Sequence, residues 1–258
     1  MKLSIIIVSY RVKHLLKQAI DSLLVAAETI DKEIFVVDNA SNDGTVELLR
    51  NTYPNICVIA NQKNLGFSAA NNQALAKAKG EYVLVINPDT ITQPNTLTES
   101  IGFLDKNLDA GSLGVRMLDG NGRFLPESKR GLPTPWVSFF KLSGIYHLFP
   151  KSKLFNHYYM GWIGEFETHE VDVLTGAFML LRKSALEKVG LFDEHFFMYG
   201  EDVDLSYRLT LAGYKNYYFP KVAITHFKGQ STHKLSLSYI KSFYGSMFIF
   251  AKKYFLKF

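Results

Sequence analysis

Leu3-Ser4-Ile5-Ile6-Ile7-Val8-Ser9-Tyr10 is a strand-length apolar run entered directly from Met1-Lys2. It is too short for a signal h-region with its cleavage site, and far short of the roughly 20 apolar residues that cross a bilayer core. Similar β-branched runs follow at residues 33–38, 56–60 and 82–86. Between them the spacing turns helical, with Leu15, Leu16, Ala19 and Leu23 in one stretch and Ala70, Ala74, Leu75 and Ala78 in another. Strand and helix at this rhythm predict a parallel sheet with crossover helices. The runs are continuous rather than alternating, as in strands covered on both faces. Ligands of such sheets bind beyond the carboxyl ends of the strands, so the residues just after each run come first.

Further along, residues 113–117 read as a strand and Asp119-Gly120-Asn121-Gly122 as a hairpin turn. Residues 171–174 and 177–181 return to strand texture, and 183–189 is helical. Residues 202–212 form an amphipathic helix closed by Gly213, and 215–219 a last strand ended by Pro220. The intervening residues 128–164 hold five Lys/Arg, no acid and nine aromatic side chains. That is long for a connection in a compact domain, which marks the segment as functional or partly mobile.

A chain of 258 residues suits one large α/β domain or two small ones. With 47% hydrophobic and 21% charged residues it is neither disordered nor collagen-like. Cys57 is the single cysteine, so no intrachain disulfide can form and a reducing cytoplasm is the expected compartment. The net charge of +5 is unevenly spread: residues 1–127 carry 12 Lys/Arg against 14 Asp/Glu, residues 128–258 carry 17 against 10. An asymmetry of −2 against +7 points to an anionic partner: nucleic acid, a membrane surface or a phosphorylated substrate.

At the strand ends, Asp38-Asn39-Ala40-Ser41-Asn42-Asp43-Gly44-Thr45 reads equally as a capped polar turn or as a nucleotide cradle. In the cradle reading Asp38 accepts hydrogen bonds from a base or ribose. Asn87-Pro88-Asp89-Thr90 is an ordinary turn signal, yet Asp89 stands where a carboxylate could hold a hard divalent cation. Asn71 and Asn72 cost helix propensity and hint at a polar ligand nearby. Glu201, Asp202 and Asp204 suit a helix N-terminus. They also follow Phe192, Phe196, Phe197, Met198 and Tyr199, an apolar wall that raises a carboxylate's basicity and suits a general base. A lone His such as His226 is more often packed than a ligand, although it follows a strand end.

Taken in order, SIIIVSY, VVDNASNDGT, NLGFSAANNQ, VLVINPDT, the LTGAFMLLRKSALEKVGLFDEHFFMYGEDVDLSYRLTLAGY stretch and a final HFKGQS resemble the family 2 glycosyltransferases, in their rhamnosyltransferase-like branch. The resemblance runs from about Leu3 to Ser231. It implies an α/β, GT-A type fold with a mostly parallel central sheet and flanking helices, and an inverting transfer from a nucleoside-diphosphate sugar, with dTDP-rhamnose as one donor. It implies a nucleotide-sugar half at 1–110, an acceptor half at 111–230, and a basic aromatic extension at 231–258. Ser9 and Asp38 would contact the donor's base and ribose, with Asn64, Gly66, Asn71 and Asn87 close by. A divalent metal, Mg²⁺ or Mn²⁺, would sit at Asp89 with help from His226. Asn87 replaces the first acid of the family's Asp-x-Asp motif, which removes one anionic ligand. Asp202 would be the catalytic base, with Glu201 beside it. Arg11 departs from the Asn that many relatives carry.

The expected acceptor is a glycan or lipid-linked hydroxyl in cell-surface polysaccharide synthesis. Nucleic acid is disfavoured, because no recognised binding motif is present. The Lys-flanked aromatic C-terminal stretch from Ser238 to Phe255 could lie in a membrane interface at the inner face of the cytoplasmic membrane, or pack on the domain or a second subunit. A dinucleotide-dependent oxidoreductase should show Gly-x-Gly-x-x-Gly after the first strand, and Ser9-Tyr10-Arg11-Val12 is nothing like it. The rival from another class is a catalytically silent sugar-nucleotide or glycan-binding subunit.

Overall fold

The computed structural model describes residues 1–228 and 237–256. In chain order the elements are β1 (Leu3–Ser9), α1 (Lys13–Ala26), β2 (Lys32–Asp38), α2 (Thr45–Thr52), β3 (Cys57–Ala60), α3 (Phe67–Leu75), β4 (Tyr82–Ile86), β5 (Thr90–Thr92) and α4 (Thr96–Lys106). They continue with β6 (Ala110–Leu118), α5 (Pro135–Leu142), β7 (His169–Val171), β8 (Phe178–Arg182), α6 (Lys183–Val189), α7 (Glu201–Leu211), β9 (Lys215–His226) and α8 (Leu237–Tyr254). Gly229, Gln230 and Ser231, the end of the HFKGQS motif, lie outside the described residues, as does the expected boundary at 230/231.

Among the described residues nine strands make one sheet, ordered β3-β2-β1-β4-β8-β6-β9-β5, with β7 also on β9. β1 pairs in parallel with β2 and β4, β2 with β3, and β6 with β9. β8 runs antiparallel to both β4 and β6, so the parallel order of the first four strands stops there. The α/β class and its flanking helices are as expected. Both faces are covered, which is why the strands read as continuous apolar runs. Leu3, Ile5 and Ile7 pack with Leu16, Ile20 and Leu23 of α1 and Leu97 and Leu104 of α4. Ile6 turns the other way, toward Ala70 and Ala74 of α3 and Leu205 and Leu209 of α7.

Two expectations change. The strand placed at 171–174 is β7 at His169–Val171, and Val173 makes only an isolated bridge to Arg130. Pro220 does not end the last strand: β9 continues through it to His226. Proline lacks an N–H, and a strand tolerates it only where no ladder bond is due. Here the register against β6 jumps from Phe219 to Ala223, a bulge that leaves Pro220 outside the β6 ladder. On the other edge β7 pairs residues 216–218 and β5 pairs residues 224–226, so Pro220 falls between the two partners. The extra length carries His226 to the pairing position opposite Thr90.

α8 rests on α7. Phe250 is buried with Phe196 and Val203, and its ring lies 6.0 Å from that of Tyr207. Asp204, fully buried on α7, accepts from Arg208 Nε at 2.8 Å, Lys253 Nζ at 2.7 Å and the Tyr254 hydroxyl at 2.7 Å. One face of the C-terminal helix therefore packs on the domain. Removing one partner from a buried charge cluster costs about 3 kcal/mol or more. Asp204→Ala should lower the unfolding free energy measured in urea by that amount, seen as a lower midpoint with an unchanged slope, and limited proteolysis should then release α8. Wild-type stability and an uncut helix would show that Asp204 is not what holds α8.

Candidate active site

The carboxyl ends of β2, β1 and β4 lie side by side, because Ser9 pairs with Asp38 and Ile7 with Ile86. Ser9 is buried with an unpartnered Oγ. Asp38 takes a 3.2 Å bond from the Ser41 amide on Oδ2, while its buried Oδ1 has no partner. Buried polar atoms are nearly always satisfied, so two such atoms at one sheet edge mark a place for ligand donors. Around it the backbone is held in the left-handed region at Arg11, Ala40 and Asn42, an arrangement typical of functional loops. Arg11 keeps that conformation with its amide on Ser41 Oγ, 3.0 Å away.

Asn39 is a hub that sequence reading left within a turn. Its Nδ2 donates to Asn64 Oδ1 and the Gly66 carbonyl, and its Oδ1 accepts from Asn61 Nδ2 and the Leu65 amide. Asn64 and Gly66 are thus brought beside the β2 end, but for reasons of framework. A Cβ on Gly66 would stand 2.4 Å from the Phe197 carbonyl, and its φ of +83° favours glycine. Asn72, expected near a ligand, instead holds the Phe192 backbone and Glu194. Asn71 returns its Nδ2 to the Phe67 carbonyl and keeps a buried, unpartnered Oδ1.

Asn87 and Asp89 follow β4. The Asn87 amide donates to the Ala177 carbonyl, and its own carbonyl accepts from Thr90. His226 Nε2 stands 3.3 Å from Asp89 Oδ1, both side chains being buried. Neither Asp89 Oδ1 nor His226 Nδ1 makes a hydrogen bond. Neighbouring donors on an octahedral cation stand about 3 Å apart, since its bonds run near 2.1 Å. A hard carboxylate and an imidazole at this spacing fit two positions on Mn²⁺ or Mg²⁺, with further ligands left to water and substrate oxygens. Among the described residues no three His, Cys, Asp or Glu side chains gather as a metal site.

Glu201 and Asp202 open α7 just after Tyr199 and Gly200, both at positive φ. Asp202 Oδ2 accepts from Arg130 Nη2 at 2.5 Å and the Gly176 amide at 3.3 Å, and Oδ1 from the Val203 amide at 2.8 Å. Burial and, next, the adjacent Asp202 charge push the Glu201 carboxyl well above the usual range. Its Oε2 is buried without a partner. Arg130 also reaches the Leu174 carbonyl at 2.6 Å. Tyr158, the next group, is held below the usual phenol range: burial alone would raise it, but the Arg130 and Lys141 charges prevail. Lys141 Nζ lies 3.4 Å from the Tyr158 ring centroid.

These groups form the floor of a cavity of about 590 Å³. Its walls come from α5, from the chain around Tyr158 and from α8, including Pro135, Leu142, Phe243, Met247 and Phe250. Asp202 touches Gly176, whose neighbour Ala177 touches Asn87, so the acid pair and the β4 edge share one short loop. Arg130 and Tyr158 went unread in the sequence because they lie in irregular chain, and Lys141 because its helix, α5, buries no residue and was not read as a helix. The only signal was an acid-free, aromatic segment of unusual length.

The family described as Glycosyl transferase family 2 matches residues 4–190. An N-acetylglucosaminyl-diphospho-decaprenol L-rhamnosyltransferase of Mycobacterium tuberculosis (strain CDC 1551 / Oshkosh) is 30% identical over 276 residues, covering 96% of this chain and 83% of its own length. The rhamnosyltransferase WbbL of Escherichia coli (strain K12) is 29% identical over 63% of this chain and 61% of its own. Among solved structures, S. aureus TarS 1-349 in complex with UDP-GlcNAc superposes with a TM-score of 0.69 at 21% identity, covering 98% of this chain. This chain spans 66% of that one. The Pyrobaculum calidifontis mannosyltransferase PcManGT, with GDP-Man and Mn²⁺, gives 0.62 at 19% identity over 89% of this chain and 57% of its own. Strand order, strand-end acids and these likenesses agree: the protein has a GT-A fold and belongs to glycosyl transferase family 2.

Proposed function

We propose that the protein transfers rhamnose, with inversion, from a nucleoside-diphosphate sugar to a hydroxyl of a lipid-linked glycan in cell-surface polysaccharide synthesis. The observation that carries this reading is the placement of Asp202. It lies on the floor of a large cavity and is tied through Gly176 and Ala177 to the β4 edge. The rhamnosyltransferases among its relatives support the choice of sugar, and the diphospho-decaprenol in one relative's name supports the acceptor class. The nucleotide-sugar half is residues 1–110, and the acceptor half is 111–230.

In this reading Ser9 Oγ and Asp38 Oδ1 bind the donor's base and ribose, with Asn71 Oδ1 close to the donor. Asp89 and His226 hold a divalent cation, which when bound neutralises charge on the diphosphate. The acceptor hydroxyl enters from the cavity and its oxygen forms the new bond at the anomeric carbon. The bond to the diphosphate oxygen breaks on the opposite face, and the hydroxyl proton passes to Asp202. Asp202 accepts three hydrogen bonds, and a carboxylate has about four lone-pair sites, so one remains for the acceptor. Arg130 fixes the carboxylate's direction. Glu201, kept mostly protonated by burial and by Asp202, lets the adjacent carboxylate carry the charge.

Three outcomes test these roles. Asp202→Asn should lower turnover roughly 10²–10⁴-fold while donor affinity stays within a few-fold. Turnover near wild type would remove Asp202 from the base role. Calorimetry of nucleoside-diphosphate binding should show a gain on adding Mn²⁺ that Asp89→Ala abolishes and His226→Ala reduces. A gain untouched by either change would place the cation elsewhere.

The third outcome concerns Glu201. Between its ordinary value of 4.5 and its raised folded value, the native state binds more protons than the unfolded state. Its contribution to stability is therefore greatest at low pH and falls as pH rises through that window. Glu201→Gln cannot ionise, so its melting temperature relative to wild type should climb between about pH 5 and about pH 9. A constant difference would mean that Glu201 titrates normally.

A further inference from the structure

α5 is a helix without one buried residue, although its sequence is Pro135-Trp136-Val137-Ser138-Phe139-Phe140-Lys141-Leu142. Trp136 is 72% exposed, and exposed Phe139 and Leu142 lie on the same helix. The chain after it adds Leu148 at 75%, Phe149, and Leu154 at 63%. These are not scattered side chains. Ring contacts run from Trp136 to Phe139, Phe140 and Phe155 and on to Phe149, with centroids 4.7 to 6.3 Å apart. A contiguous exposed apolar patch of this kind marks an interaction surface.

Its charge says what the surface meets. Residues 128–164 hold no acid, and of their five Lys/Arg the pair Lys151 and Lys153 is exposed within the patch, whereas Lys129 is buried and Arg130 is paired with Asp202. A two-fold interface with a second copy would bring the same lysines together with no carboxylate of the segment to answer them. An anionic bilayer supplies both an apolar layer for Trp136, Phe139 and Leu148 and negative headgroups for the lysines. Tryptophan in particular prefers the headgroup level. The patch also reaches the mouth of the cavity above Asp202. Leu142 of α5 and Phe248 of α8 both line that cavity, and both are more than half exposed.

We propose that residues 135–155 dock the protein onto anionic membrane, with the cavity mouth facing the bilayer. The contact is made mainly by α5 and the chain after it rather than by α8, whose buried face packs on α7. A lipid-linked substrate then reaches the cavity from the membrane plane. The docking surface stands on its own observations and is tested without turnover, so it fails or survives separately from the proposed reaction.

The experiment uses the full chain and vesicles of mixed phosphatidylglycerol and phosphatidylcholine, with phosphatidylcholine alone as the comparison. Trp162→Phe leaves Trp136 as the only tryptophan. Its emission should shift to the blue on the anionic vesicles and be quenched by brominated acyl chains. Partition should favour the anionic vesicles by about tenfold or more, since each surface lysine contributes several-fold, and should weaken with salt. In the otherwise native chain, Trp136→Glu with Phe139→Glu should abolish vesicle binding without altering the melting curve, because neither side chain is buried. No emission shift on either vesicle, or undiminished binding by the double variant, would overturn the proposal. So would a concentration-dependent dimer, seen without vesicles and lost in the same variant, which would assign the patch to a second copy.

Discussion

The position of β8 is the constraint on which the rest of the molecule depends. This five-residue strand lies antiparallel between β4 and β6, pairing Val85 with Met179 on one side and Leu113 with Leu180 on the other. Without it the parallel β3-β2-β1-β4 unit and the β6–β9 unit would be separate sheets with open edges. Because β8 runs opposite to β4, its entry loop lies at the carboxyl end of β4. That loop, Thr175-Gly176-Ala177, meets Asn87 on one side and Asp202 on the other. One antiparallel insertion thus turns an ordinary strand-end site into a cleft with a second wall.

The positive second half of the chain is not a free electrostatic field. Arg130 is engaged by Asp202, and Arg208 by Asp204 and three backbone carbonyls. Arg182 caps the carbonyls of Ala110, Leu104 and Asn107, and Lys253 bridges Asp193 and Asp204. These cations hold elements together in partly buried places, where geometry rather than net charge decides their worth. What remains outward-facing in residues 128–164 is a small set of lysines beside exposed aromatics. The charge asymmetry of the sequence therefore overstates the field and understates the localisation.

The first four strands and their order in the chain were legible because both faces are covered and each run is continuous. The candidate acids were legible because the strand ends are where such sheets bind ligands. Pairing direction was not: nothing in Phe178–Arg182 distinguishes an antiparallel insertion from another parallel strand. Pro220 misled because its local rule is sound, and only the bulge against β6 exempts it. Asn72 and Gly66 each also make a contact with the chain from Phe192 to Phe197, more than a hundred residues away, that no local pattern announces. Arg130 carried no periodic signal, and its meaning depends wholly on Asp202, 72 residues further on.

That pair ties the wall of the cavity to its floor. Glu201 and Asp202 are adjacent buried carboxyls, and two such groups resist carrying charge together. Arg130 answers Asp202, while burial and the adjacent Asp202 charge raise the Glu201 carboxyl above its usual range. Arg130 is not part of α7; it belongs to the chain that leads into α5 and is fixed by the Val173 bridge and the Leu174 carbonyl. The segment that walls the cavity therefore also supplies the cation at its floor. Wall and floor of the cavity are thus joined through one side chain.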